Sequence, residues 1–154
     1  MEITELVRDD AVLPTLKASS KKQTLQELAR KAAAITGLDQ REIFDVLLER
    51  ERLGTTGVGG GIAIPHGKLN KLEKLYGVFA RLESPVDFDS IDDEPVDLIF
   101  LLLAPESAGA EHLKALARVS RLLRDRAVCS RLRGCDTTDA IVALFNEAEN
   151  PAAA

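Results

Sequence analysis

Tryptophan is absent from this sequence, tyrosine occurs once and phenylalanine five times, too few rings to build a stacking platform for nucleic-acid bases. Positive charge is also scarce: 20 Lys and Arg stand against 25 Asp and Glu, a formal net charge of -5. A grip on phosphate backbones needs clustered basic residues, so no nucleic-acid partner is expected. The cysteines number two, Cys129 and Cys135. Their spacing matches neither a zinc knuckle nor a Cys-x-x-Cys redox pair, and ordinary reduced thiols are expected. The first residues, Met1 to Leu6, carry no basic region followed by an apolar one, and the longest apolar run, Leu98 to Ala104, is far too short to span a bilayer. A soluble, cytoplasmic protein without direct membrane insertion is the expectation.

What the sequence does hold is enough apolar material for one core: 154 residues, 45% hydrophobic. One domain over residues 1–150 is expected, with a disordered tail at 151–154. After Ser19-Ser20, Leu25, Leu28, Ala29, Ala32 and Ile35 recur at helical spacing up to Gly37. Asp39 and Glu42 have the spacing of a capping box, and Ile43, Val46 and Leu47 form the stripe of a second helix ending near Leu53-Gly54. Six of the ten glycines fall between Gly54 and Gly67, which excludes regular helix and implies tight turns or close approaches. Leu75–Leu82 and Val96–Leu103 read as strands, the second apolar enough to be central. Leu113, Leu116, Ala117, Ser120 and Leu123 mark a further helix face, and Thr137–Ala148 a C-terminal helix. Strands and helices alternate along the chain, so an α/β domain with a helix-covered sheet is predicted.

The segment from Arg50 to Lys68 carries the candidate chemistry. It is no nucleotide loop: a Walker pattern needs glycine where Ile62 stands and Ser or Thr where Leu69 stands, and a dinucleotide pattern also fails at Ile62. His66 lies between Pro65, which fixes one backbone angle, and Gly67, which removes side-chain bulk. That flanking suits an exposed, held imidazole, a good nucleophile near neutral pH; read alone, it also suits a loop histidine without function. Arg50 follows Val46 and Leu47 on the core-facing stripe, yet in the last turn it can point out of the helix end toward the glycine segment. It could equally serve only to complement the helix dipole. Arg52 turns about 200° away at ~100° per residue, toward Asp45 and Glu49, which suits a solvated ion pair. His112 falls in a first helical turn, where anions are attracted, or is simply a surface residue there. A zinc site built on the two histidines lacks suitably spaced further ligands. The acidic residues Glu83, Asp87, Asp89, Asp92, Asp93, Glu94 and Asp97 lack a calcium-loop pattern and read as a solvated loop. No metal or organic cofactor is expected.

Three stretches, Arg50 to Gly59, Gly61 to Leu69 with its Ile-Pro-His-Gly-Lys core, and Phe88 to Leu98, make the chain resemble the fructose/mannitol-type enzyme IIA proteins of the bacterial phosphoenolpyruvate-dependent phosphotransferase system, in particular the nitrogen-regulatory IIA branch. The resemblance covers nearly the whole chain. It implies a single α/β domain, a mixed sheet flanked by helices on both faces. It implies that His66 is the phosphorylated nucleophile, reacting through Nε2, that Arg50 stabilises the phosphate, that His112 is a supporting second histidine, and that Thr56 supplies a hydroxyl near the phosphate. Thr55 stands where many relatives have serine and keeps the hydroxyl. The implied partners are a histidine-phosphocarrier protein as donor and regulatory targets such as potassium-transport or sensor-kinase proteins; the nearest reaction class is phosphotransferase. Without a membrane segment or an attached IIB domain, a regulatory carrier is expected, with a sugar-specific IIA and a hydrolase using His66 as the alternatives.

Overall fold

The computed structural model describes residues 2–149; the tail expected at 151–154 lies outside them. In chain order the elements are α1 (Ile3–Leu6), a 3-10 turn at Asp9–Ala11, β1 (Val12–Leu16), α2 (Lys21–Thr36), α3 (Gln40–Arg52), β2 (Gly57–Gly59), β3 (Ile62–Ala63), β4 (His66–Leu69), β5 (Tyr76–Val86), β6 (Val96–Pro105), α4 (Ala110–Arg124), α5 (Arg126–Arg133) and α6 (Thr138–Glu149). This is the expected α/β domain. The six strands form one mixed sheet in the order β1-β5-β6-β3-β2, with β4 also paired to β6. β6 is central, antiparallel to β5 on one side and parallel to β3 and β4 on the other. Every residue from Leu98 to Ala104 is buried, which requires cover on both faces. Two helical groups supply it: α2 packs on α3 and on β5, while α6 packs on α1, α5 and β1, and α4 on β6. Phe145 of α6 meets Phe79 of β5 edge-on at 5.1 Å between ring centroids, beside Phe100 of β6. Each such ring contributes about 1.5–3 kcal/mol by leaving water.

Local chemistry sets the helix ends. The Ser20 hydroxyl accepts from the Gln23 N–H at 3.1 Å, and Gly37, at φ 77°, closes α2 in a left-handed conformation that only glycine adopts freely. Asp39 accepts from the Glu42 N–H at 3.0 Å to start α3. The reciprocal half of the capping box is replaced: Glu42 directs its carboxylate to Lys71 instead. The expected face of α4 is rotated. His112, Ala115, Val119 and Leu123 point inward, whereas Leu113 is 68% exposed and Ala117 lies on the surface, because the first turn of α4 turns His112 against His66 of β4. Cys129 and Cys135 are unpaired thiols. Among the described residues, no helix is long and apolar enough to cross a membrane.

Candidate functional site

Two short strands share one edge of β6. Ile62 pairs with Leu98 and Ala63 with Ile99; His66 pairs with Leu102 and Gly67 with Leu103. The register is the same before and after Ile64-Pro65, so β3 and β4 are one line of chain interrupted where Pro65 has no N–H to give. The Pro65 carbonyl still accepts from the Leu102 N–H at 2.9 Å. The interruption frees the Ile64 carbonyl, which faces His66 Nδ1 at 3.0 Å. A carbonyl can only accept, so Nδ1 carries the proton and the lone pair sits on Nε2.

Arg50 meets that lone pair. Its Nε–H donates to His66 Nε2 at 3.2 Å, and its NH1 group donates to the Gly54 carbonyl at 3.0 Å, where the chain leaves α3. The guanidinium does leave the helix end toward the glycine segment. Arg52 is ion-paired with Glu49 on the solvent side. His112 is buried, at 6% exposure, and its ring stands edge-on to His66 with centroids 5.7 Å apart; its Nε2 has no hydrogen-bond partner among the described residues. Thr56 is buried, its hydroxyl likewise without a partner, and its carbonyl accepts from the Ile64 N–H at 3.0 Å. All four residues singled out from the sequence therefore converge around Ile64–His66.

Both imidazoles are held below their ordinary pKa of 6.5. For His66 the main cause is burial, opposed by the Ile64 carbonyl and reinforced by the Arg50 charge; for His112 it is again burial, then the nearby His66 and Lys68. His66 is half-buried rather than exposed. The glycines, too, serve something other than open access. A Cβ on Gly67 would lie 2.5 Å from Val46 of α3, and one on Gly57 2.4 Å from the Ser90 hydroxyl: these glycines let the chain's own elements close on one another. The turn at Gly59–Gly61 runs at positive φ throughout. Asp92 accepts from the Gly60 N–H at 2.9 Å, and Arg133 donates to the Gly60 carbonyl at 2.8 Å while paired with Asp97. The acidic stretch is thus a clamp on this turn as well as a solvated loop. One residue escaped the sequence reading: Glu51 is buried and accepts from the Thr56 N–H at 3.1 Å. Its position, four after Leu47 and eight after Ile43, already put a carboxylate on the core stripe.

With this geometry in place, residues 5–148 match the family model described as "Phosphoenolpyruvate-dependent sugar phosphotransferase system, EIIA 2". The chain belongs to that EIIA 2 family. It is 61% identical to the nitrogen regulatory protein of Bradyrhizobium diazoefficiens over 145 residues, 94% of this chain and 95% of that one. It is 37% identical to the nitrogen regulatory protein of Klebsiella oxytoca over 149 residues, 96% of this chain and 92% of that one. In three dimensions it is similar to the crystal structure of nitrogen regulatory protein IIA-Ntr from Neisseria meningitidis, with a TM-score of 0.88 and 32% identity, covering 93% of this chain and 98% of that one. Family membership brings phosphotransfer partners with it. The EIIA 2 fold also accounts for the mixed, doubly covered sheet described above.

Proposed function

We infer that the chain is a phosphohistidine phosphocarrier of the nitrogen-related phosphotransferase system, which takes a phosphoryl group on His66 and regulates target proteins according to its phosphorylation state. The observation that carries this reading is the orientation of His66: Nδ1–H is held by the Ile64 carbonyl and Nε2 is presented, lone pair outward, to Arg50. In the transfer, the N–P bond of a phosphohistidine on a histidine-phosphocarrier protein breaks as a bond from phosphorus to Nε2 of His66 forms. The donor ring leaves as a neutral imidazole and His66 keeps its Nδ1 proton. No proton has to move, so positioning and charge stabilisation do the catalysis. Arg50, anchored at Gly54, turns Nε from the lone pair to a phosphoryl oxygen; His112 and the Thr56 hydroxyl supply the remaining neutral donors.

Leu53, directly after α3, and Leu113, directly after His112, are 84% and 68% exposed. Apolar side chains left in water next in sequence to the end of the helix that carries Arg50 and to His112 support a protein, rather than a small molecule, as the donor. The regulated partners are of the kind the family serves, potassium-transport and sensor-kinase proteins. A sugar-specific role is less favoured, because relatives named as nitrogen regulatory proteins align over almost their full length. Incubation with a phosphorylated carrier protein should give one acid-labile adduct, on His66, that His66→Ala abolishes with the fold intact. Stable labelling of His66→Ala would overturn the assignment. Phosphate passing onward to a sugar-specific IIB protein would select the sugar role instead.

A further inference from the structure

Among the described residues Glu51 is the one carboxylate buried against this site, its side chain 4% exposed, and no step of the transfer uses it. Its Oε1 receives the Lys21 ammonium at 2.9 Å and the Thr56 N–H at 3.1 Å, while Oε2 has no hydrogen-bond partner among the described residues. Lys21 is only half-buried and also reaches the exposed Asp89 at 3.6 Å, so a buried carboxylate with an unsatisfied oxygen gains little stability from the pair, and an apolar side chain of similar volume would do as well or better. Such pairs are best explained where they fix geometry.

The geometry fixed here is traceable bond by bond. Lys21, first residue of α2, holds Glu51; Glu51 holds the Thr56 N–H; the Thr56 carbonyl holds the Ile64 N–H; the Ile64 carbonyl holds His66 Nδ1; and Nε2 faces Arg50. Among the described residues Thr56 makes no other hydrogen bond to α3, so Glu51 ties its peptide directly to the helix that carries Arg50, while Thr55 is held by the Phe88 carbonyl. We propose that Glu51, held by Lys21, is a positioning residue for the phosphoryl acceptor: it fixes the Thr56–Ile64 pairing and thereby the tautomer and aim of His66. This rests on the reading of His66 as the acceptor.

The test measures two things on each variant: the rate of labelling by a phosphorylated carrier protein, and the 15N spectrum of the His66 ring, which reports which nitrogen bears the proton. The unmodified protein comes first; if it does not label at His66, the function assigned above fails, separately from this inference. Glu51→Ala removes the acceptor, and should lower the rate roughly tenfold or more and shift the ring from pure Nδ1–H toward a tautomer mixture. Glu51→Gln keeps an acceptor oxygen for Thr56 and should restore the tautomer and most of the rate. A purely structural Glu51 would lower thermal stability in the alanine variant while leaving the ring spectrum unchanged. A folded Glu51→Ala protein with native rate and ring spectrum overturns the proposal. Should that variant not fold, Lys21→Met against Lys21→Arg decides: the first should disturb the His66 ring and slow labelling, the second should not, and equal behaviour of the two refutes the role.

Discussion

His66 titrates below its ordinary value mainly because it is half-buried, with the Arg50 charge acting in the same direction. The ring needed for attack is the neutral one, so the depression keeps the nucleophile available. The consequence for rate is direct: transfer should be flat from pH 8 down to about 6.5, the ordinary histidine value, and decline only as pH falls through the lower pKa of the folded protein. A pH–rate profile at fixed donor, paired with an NMR titration of the ring, checks this; a decline beginning well above pH 6.5 contradicts it. The same depression acts on stability. Because His66 and His112 both bind protons less readily folded than unfolded, their contribution is full above about pH 6.5 and is lost as pH falls through the folded values. Thermal midpoints should therefore drop in acid, and less steeply in His66→Gln. The two arginines of the last turn separate cleanly. Arg50→Ala should slow transfer by about ten- to a hundredfold, the loss of one charge-assisted hydrogen bond of ~1.5–3 kcal/mol, whereas Arg52→Ala, which gives up only an exposed ion pair, should stay within about twofold. Similar slowing in both would contradict the geometry.

Between elements, the decisive contact is α3 on β4. Gly67 lets Val46 lie directly against the β4 backbone, and that seating brings Arg50, one turn further along α3, to His66. Gly67→Ala should push the helix outward, costing about 1–3 kcal/mol of stability and slowing transfer although neither reacting residue is changed. Val46→Ala should be damaging alone yet restore part of the rate in combination; additive effects in the double variant would show that the contact is not what couples them. This scale also shows what could and could not be read from the sequence. α2, α3, α6 and the central strand were legible because caps and periodicity are local. The β2–β4 strands were not, since Gly57-Val58-Gly59 and His66-Gly67-Lys68 have little strand preference of their own and are extended only because they pair with each other or with β6. β1 contains Pro14 and α5 buries only Cys129 and Leu132, patterns too short to stand out. The convergence of His66 and Arg50 was legible through helix phase. The burial of His112 was not, because it depends on how α4 is rotated against the sheet, and Glu51 was passed over although its phase gave it away.

For the molecule as a whole, phosphorylation of His66 should add about -1.5 to -2 charges to a protein already at -5, at a spot where Arg50 and the His112 imidazole stand close enough to receive them without rearrangement. Backbone amide shifts on phosphorylation should be confined to the end of α3, residues 54–69 and the first turn of α4, leaving β1 and β5 unmoved. A target that reads the state should do so by charge at the surface around Leu53 and Leu113, so its affinity should differ between phosphorylated and unmodified protein, with His66→Ala resembling the latter. Shifts spread over the entire sheet, or equal affinity for both states, would contradict a local switch.

The placement of β3 and β4 along β6 bears on how the chain comes into being. His66 finds its ladder partner in Leu102, and its companion ring in His112, both far downstream of it in sequence. Contacts of such separation form late in folding, after loop closure has been overcome. During synthesis the histidine is made long before the strand that aims it. A nascent chain without β6 and α4 therefore carries His66 without the ladder and the companion ring that frame it, and should accept a phosphoryl group poorly. Competence to accept phosphate on His66 should therefore arrive together with completion of the sheet.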